Sequence, residues 1–487
     1  MDAGLFPVPP GFLDLAPMNV DAVGLGAPRA VDDSRPNRRG LAFFAVCLGN
    51  FIVFIDTSIV NLALPHIRTS LHGSLAGLVW VANGYTLAMA ALILNGGAVG
   101  DRLGNDRAYR LGALGFAVTS LGCGLAPNLP ALIALRACQG VCGALLLPAL
   151  LGLIPHLYPD KVERARAVTI WASTGAVALA TGPLLAGVLI EGVGWRAIFY
   201  INVPFCVAAA LIVRWTLKDV PRHRSSAGLD LTGQVLAVAG LAAFSFAIVE
   251  GPSFGWDSPA IVASVAVALV AAVSFVMVER RSASPLLPPR LFANRTFTAA
   301  VSAGVLFQFV FFGALFIFPL YLQEVLHATA LETGLELLPL TCCTALSPTL
   351  ITNRIVARHG FARSVLVGSV IGVPGCLIVL VTHASSPYWL LGIAMALLGT
   401  WSGLTLPPTV SLAVTNTPAE LSGTGSGVLN AGRQIGAVLG VSVLGTLVGA
   451  SSLSSGLRLG MLTFVAGMIG IALLITAGAR DRTPYRD

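Results

Sequence analysis

Fourteen runs of apolar residues, separated by short polar gaps, leave this chain few folds to choose from. They lie near residues 41–64, 76–99, 109–126, 131–157, 167–190, 197–216, 231–250, 259–278, 297–322, 333–352, 364–382, 388–414, 425–447 and 458–478. A helix needs roughly 20 apolar residues to cross the hydrocarbon of a bilayer, so the pattern predicts an all-α integral membrane protein with fourteen spanning helices. The connections are too short for a soluble domain of any size. Only 10% of the residues are charged and the mean hydropathy is +0.84. A soluble globular chain carries about 25% charged residues, so the bilayer has to serve as the core.

The basic residues orient the helices. Of 29 Lys and Arg residues, 24 fall in every second gap or in the two tails, and Arg68, Arg196 and Arg458 fall on the other side. Positive charge stays on the cytoplasmic face during insertion. An even helix count then places both termini in the cytoplasm, for a multi-pass protein of the inner (cytoplasmic) membrane. A net charge of +7 would suggest nucleic acid in a soluble domain. Here the arginines are dispersed over loops without aromatic interleaving, and no nucleic-acid partner is expected. Arg136 and Arg433 are the exceptions, since both lie inside apolar runs.

Several chemistries are disfavoured. The eight Cys residues all lie inside expected helices, as small packing residues do, and their spacing is not that of a disulfide framework. The seven His form no metal-ligand cluster. The only lysines, Lys161 and Lys218, follow Asp160 and Leu217 rather than Gly, so no P-loop is present and any pumping must draw on an ion gradient or another subunit. The loops carry no catalytic constellation, so neither an enzyme nor a cofactor is expected. Residues 1–40 have no cleavable signal pattern and read as a disordered cytoplasmic tail.

The chain also repeats weakly. Asp101-Arg102-Leu103-Gly104 after the second helix is echoed by Ala357-Arg358-His359-Gly360 after the tenth, and Leu147-Pro148 by Leu406-Pro407. An offset of eight helices divides the chain into a six-helix half at 41–217, a linker with an inserted helix pair at 218–296, a second half at 297–479 and a short tail at 480–487. Duplicated helical halves are a transporter signature, with the substrate site between them near the midplane.

Asp56 is the most informative single residue. An ionised carboxylate in mid-bilayer costs about 2.5–3.5 kcal/mol on insertion scales, and intramembrane acids mark proton or substrate sites; a structural hydrogen bond is the plain alternative. Arg136, followed by Gln139, is its candidate partner, because Arg stays protonated; otherwise it would snorkel to the nearer surface. Asn61 lies one turn beyond Asp56. In the fifth helix Gly175, Gly182, Pro183 and Gly187 combine small residues with a helix-bending proline, suited to close packing or to a hinge. Arg433 and Gln434 sit within a ladder of Gly432, Gly436 and Gly440, which favours an interior role. Glu332 and Glu336 begin the tenth helix and are expected to be solvated. Phe312 is one of six phenylalanines on the ninth helix, which face either lipid or an apolar pocket.

Together these segments resemble the major facilitator superfamily, in particular its 14-helix drug:proton antiporter branch, over nearly all of residues 40–480. Asp56-Thr57-Ser58-Ile59-Val60-Asn61-Leu62-Ala63-Leu64-Pro65 is similar to that branch's first-helix motif, whose acid is implicated in proton coupling. Gly97-Ala98-Val99-Gly100-Asp101-Arg102-Leu103-Gly104 resembles the gating loop of the superfamily. Asn105-Asp106 stands where a basic pair is usual, so the latch is expected to be weakened or rebuilt through Arg107 and Arg110. Arg136 to Gly140 resembles a proton-transfer motif, and Gly175 to Gly187 an antiporter motif associated with export. Trp195 to Pro204 and Arg433-Gln434-Ile435-Gly436 are also typical of the branch.

The resemblance implies proton-coupled efflux of a small apolar or amphiphilic compound, an antibiotic or drug, by a monomer using alternating access. Its partners would be the cargo, protons and the lipid bilayer. A proton-coupled importer on the same fold is the alternative.

Overall fold

The computed structural model describes residues 36–217, 231–281, 289–418 and 421–479. All fourteen expected runs are helical: α1 Pro36–Leu71, α2 Leu75–Leu103, α3 Asn105–Leu125, α4 Leu129–Leu157, α5 Lys161–Gly192, α6 Ala197–Thr216, α7 Leu231–Phe254, α8 Pro259–Arg281, α9 Arg295–Glu324, α10 Ala330–His359, α11 Phe361–Val381, α12 Tyr388–Thr415, α13 Ser422–Gly449 and α14 Leu453–Ala479. Thirteen are long and apolar enough to cross a membrane. The remaining one, α3, has 21 residues, about the length the hydrocarbon requires. Asp106, Arg107 and Arg110 near its start make it less apolar. Helix α6 pauses at Ile201, and α10 contains a π-helical turn at Pro348–Thr352. Proline removes a backbone donor and its ring crowds the preceding turn, which accounts for the break in α10. The expected tail is a helix from Pro36 onward; residues 1–35, 218–230, 282–288, 419–420 and 480–487 lie outside the described residues.

The packing repeats at an offset of eight helices. In the first half α1 packs on α4, α5 and α6, α2 on α4, and α3 on α4 and α6; in the second α9 packs on α12, α13 and α14, α10 on α12, and α11 on α12 and α14. The seam between the halves obeys the same rule, joining α1 to α9, α2 to α13 and α5 to α10. Helix α7 lies against α2 and α13, while α8 packs on α7 and is the least buried of the thirteen. An apolar, exposed helix of this kind suits contact with lipid rather than with the core.

Both ends of the bundle are anchored by side chains. The start of α1 meets the start of α5 through Arg39 and Glu163, and the end of α14 meets the start of α9, where Thr296 Oγ1 donates to Gly478 O at 2.9 Å. The end of α1 reaches the end of α9, where Arg68 pairs with Glu324. The described chain therefore begins and ends on one side, called here the terminal end, with Arg68 at the distal end.

Helix α9 is the most buried of the spans. Phe307, Phe311, Phe312, Phe316 and Phe318 are all buried in it, so the phenylalanines expected to meet either lipid or a pocket are mostly interior packing.

Candidate functional site

Helix α1 is held on three sides at mid-depth, and glycines set the distances. A Cβ on Gly140 of α4 would collide with the Tyr85 carbonyl of α2, so these two helices meet backbone to backbone. On the opposite side a Cβ on Gly182 of α5 would collide with Ser58 Oγ, and one on Gly175 would lie 3.0 Å from Phe54 Cδ2 and 3.1 Å from Asn50 Nδ2. Small residues are what permit such approach between membrane helices. The result is that Asp56 is carried into a space bounded by α4, α5 and α6.

There it meets a complete set of donors. Arg136 Nη1 donates to Asp56 Oδ2 at 2.6 Å; Gln139 Nε2 and Asn202 Nδ2 donate to Oδ1 at 3.1 and 2.9 Å. Arg136 Nη1 also reaches Gln139 Oε1 at 2.7 Å, and its guanidinium lies 4.6 Å from the Tyr85 ring centroid. Asn202 is steadied by Ser120, whose Oγ accepts from Asn202 Nδ2 at 3.2 Å and donates to Phe199 O at 2.8 Å. Asp56 is 0% exposed and Arg136 1%. A buried pair persists only where further hydrogen bonds offset desolvation, and here amides on α4 and α6 supply them. Chemically, this is a carboxylate sealed from water and held by one cation and two neutral donors.

A small cavity of about 10 Å³, near the size of one water, adjoins this network. It is lined by Thr57, Val60, Asn61, Ala82, Tyr85, Thr86 and Arg136 of the first half and by Phe312 and Val441 of the second. Asn61 and Phe312 therefore share a space with Arg136, and Asn61 Nδ2 bonds back to Thr57 O at 3.2 Å. Gln434 contacts the first half at Met89, its Nε2 3.7 Å from Sδ. Arg433 lies apart from the Asp56 network, its Nη1 donating to Asn430 Oδ1 at 3.2 Å.

The seam is zipped from mid-depth to the distal end. Along α2 and α13, Asn83 Nδ2 donates to Ser442 Oγ at 2.8 Å, and a Cβ on Gly445 would collide with Val79. On another face α13 packs on α9, where Cβ atoms on Gly436 and Gly440 would strike the carbonyls of Val305 and Phe309. Between α5 and α10, Cβ atoms on Gly187 and Gly334 would each lie 2.7 Å from the carbonyl oxygens of Ala330 and Pro183. Arg68 Nη1 donates to both oxygens of Glu324 at 3.1 and 3.0 Å, Gln323 Nε2 to Leu62 O at 3.0 Å, and the Leu331 N–H to Glu191 Oε1 at 3.1 Å.

The gating segment closes the α2–α3 turn. Gly104 has φ +92°, and its N–H bonds to Gly100 O at 2.9 Å; a positive φ is a conformation glycine adopts without cost. The Asn105 amide fits between Gly100 of α2 and Gly152 of α4, where Cβ atoms would collide with it, so the residue in place of the usual basic one fills a glycine pocket. Arg110 pairs with Asp106 of its own helix at 3.2 Å. Asp101 is exposed, and its side chain makes no hydrogen bond or ion pair with a described residue. Arg102 on the same turn is also exposed. Gly97 meets only Pro148, at 3.8 Å, and the tight contact falls on Gly96, where a Cβ would strike Ala144 O.

Glu332 closes a capping box with Thr329 at the start of α10. Glu336 is half-buried beside Tyr388, whose hydroxyl donates to the Glu336 carbonyl at 2.7 Å. Sequence reasoning missed Asn202 and Tyr85 as site residues. An amide inside an otherwise apolar sixth run was the available signal for Asn202; nothing marked Tyr85.

A family model described as the Major Facilitator Superfamily matches residues 46–441. The chain is 34% identical over 410 residues to the methylenomycin A resistance protein of Bacillus subtilis (strain 168), covering 84% of this chain and 87% of that one. It is 33% identical over 404 residues to the tetracenomycin C resistance and export protein of Streptomyces glaucescens, covering 83% and 75%. Among solved structures, that of the peptide transporter POT in complex with sulfate superposes with a TM-score of 0.67 at 14% identity, covering 90% of this chain and 94% of that one.

Proposed function

The chain belongs to the Major Facilitator Superfamily, and on that premise we propose that it exports a small apolar or amphiphilic compound, an antibiotic or drug, across the cell membrane in exchange for protons. The observation that carries this reading is the Asp56–Arg136 pair. It is a sealed carboxylate beside the seam, where a proton competes with a guanidinium for the same oxygen. The relatives named for antibiotic resistance and export support the direction and the type of cargo.

On this reading the terminal end is cytoplasmic and the distal end external, as the arginine asymmetry favours. The distal contacts Arg68–Glu324, Gln323–Leu62 and Glu191–Leu331 then close the outside, in the half of the cycle that takes up cargo from within. When the halves rock the other way, a proton from outside neutralises Asp56 and frees Arg136. Return to the first state releases the proton to the cytoplasm. The membrane potential favours that entry by about 2.3 kcal/mol per charge per 100 mV. We read the chain as a monomeric transporter with no catalytic role; its partners are cargo, protons and lipid.

The test uses energised inside-out vesicles and purified protein. Adding a transported drug should dissipate the stored pH gradient. Asp56→Asn should still bind the drug but lose uphill accumulation, and Asp56→Glu should keep part of it. Wild-type, uncoupler-sensitive accumulation by Asp56→Asn would place the proton elsewhere; ATP-dependent, uncoupler-insensitive transport would end the antiport reading.

A further inference from the structure

The two intramembrane arginines are treated differently by the fold. Arg136 is neutralised by Asp56. Arg433 has no acid within ion-pair distance among the described residues: one of its nitrogens, Nη1, donates to Asn430 Oδ1 at 3.2 Å, and its Nε is buried without a hydrogen-bond partner. It is no surface residue that strayed inward. Arg433 lies 11 residues, or about 16 Å, along α13 from Ser422, at 1.5 Å per residue, which is about half the hydrocarbon thickness.

The stem is accommodated on purpose. Gly304 of α9 faces it, and a Cβ there would lie 3.4 Å from Arg433 Cγ. The residues around it reach the seam, since Ala431 is buried in the apolar core of the first half and Gln434 contacts Met89. With Asp56 committed to Arg136, the described residues leave one excess positive charge at mid-depth beside the seam. Intramembrane charges are retained where they serve a pathway or a ligand, and a guanidinium offers a planar fork that matches a carboxylate through two N–H donors.

We propose that Arg433, with Asn430 beside it, is the docking point for a carboxylate on the exported compound, so that the preferred cargo is an amphiphile bearing an acid. The inference rests on the export reading for its biological meaning, but its physical content is a binding preference that can be measured without transport. Proton and cargo are then recognised by opposite halves of the molecule, Asp56 in the first and Arg433 in the second.

The experiment is fluorescence polarisation on the purified full-length chain in lipid nanodiscs, with rhodamine B, which carries a free carboxylate, and its ethyl ester, which does not. Wild type should bind the acid about 10- to 100-fold more tightly than the ester, the range a charge-assisted pair provides. Arg433→Gln should remove that preference by weakening the acid alone, and Arg433→Lys, which keeps the charge but not the fork, should retain part of it. Equal wild-type affinity for the two dyes would overturn the proposal. So would equal weakening of both dyes by Arg433→Gln, which would mark a structural role. Should Arg433→Gln not fold, Arg433→Lys decides: acid affinity reduced with ester affinity unchanged supports docking, and an unchanged ratio overturns it. Loss of proton-driven transport with the acid preference intact would count against the export reading and leave this assignment standing.

Discussion

The distal closure can be weighed by removing Arg68. Its pair with Glu324 is the one cross-half ion pair among the described residues, and it is partly open to solvent, with side-chain exposures of 41% and 31%. Solvent screening therefore limits its worth to about 0.5–1 kcal/mol. That corresponds to a change of roughly two- to fivefold in the equilibrium between distal-closed and distal-open states, at 1.4 kcal/mol per tenfold. The Gln323–Leu62 and Glu191–Leu331 bonds remain, so Arg68→Gln should loosen the closure without abolishing it. Ala82 lines the mid-depth cavity, so in a variant lacking the native cysteines, Ala82→Cys reports access from the distal side to a membrane-impermeant maleimide. Arg68→Gln should raise the labelling rate about two- to fivefold, with the larger effect at low ionic strength. The swapped pair Arg68→Glu with Glu324→Arg should return it towards wild type. A labelling rate unmoved by Arg68→Gln, or raised equally by the single and the swapped variants, would refute the reasoning that this pair holds the halves together.

Three further outcomes follow from the packing. Asn202→Leu removes donors from Asp56 and Ser120 and should destabilise the network by about 2–3 kcal/mol, the worth of a hydrogen bond to a charged group plus an unpaired neighbour; a lower melting temperature and loss of proton-driven accumulation check it, and wild-type values of both would count against the assignment. Gly140→Val forces α4 away from the Tyr85 carbonyl and should cost about 1–3 kcal/mol or more as overpacking, read as reduced yield of folded protein, whereas a fully stable variant would mean the helices can part freely. Asp101→Asn should leave the melting temperature of the distal-closed conformer unchanged, since the Asp101 carboxylate makes no hydrogen bond or ion pair with a described residue in it, while slowing turnover in vesicles if the turn latches the opposite conformer; a large drop in stability would contradict this geometry.

Much of this was legible in the sequence because membrane burial makes charge expensive. Two opposite charges inside apolar runs, Asp56 and Arg136, had few ways to be satisfied other than each other. Asn202 carried no such warning: an amide is tolerated at a helix interface for purely structural reasons, and its contact with Asp56 spans 146 positions of sequence. The gating segment begins at Gly97, but the close approach of α2 to α4 at that level falls on Gly96; one residue turns a helix face by about 100°, and adjacent glycines do not show in the sequence which of them faces inward. Asn105 read as the loss of a basic residue. Its positive reason is steric, and it depends on Gly152, a residue of another helix. The phenylalanines of α9 were ambiguous because aromatic residues serve lipid and core alike; only the position of α9 along the seam, against α1 and inside α12, α13 and α14, decides.

The arrangement constrains how coupling can work. The three donors to Asp56 all belong to the first half, so protonating the carboxylate rearranges bonds within one half without directly breaking a bond to the other. What reaches across from that network at mid-depth is contact: Phe312 and Val441 against the cavity beside Arg136, Asn83 with Ser442, and Met89 with Gln434. A change in the charge or position of Arg136 therefore has to act on the second half through the walls of a cavity that holds about one water. A space so small transmits displacement well, because its lining cannot yield without moving the helices behind it. Gly182 fixes α1 against α5 just beside Asp56, and one turn further Gly187 fixes α5 against α10. A shift of α1 on protonation would thus pass along α5 to the distal seam, which joins the proton site to the outer closure by a path of backbone contacts without requiring proton and cargo to share an atom.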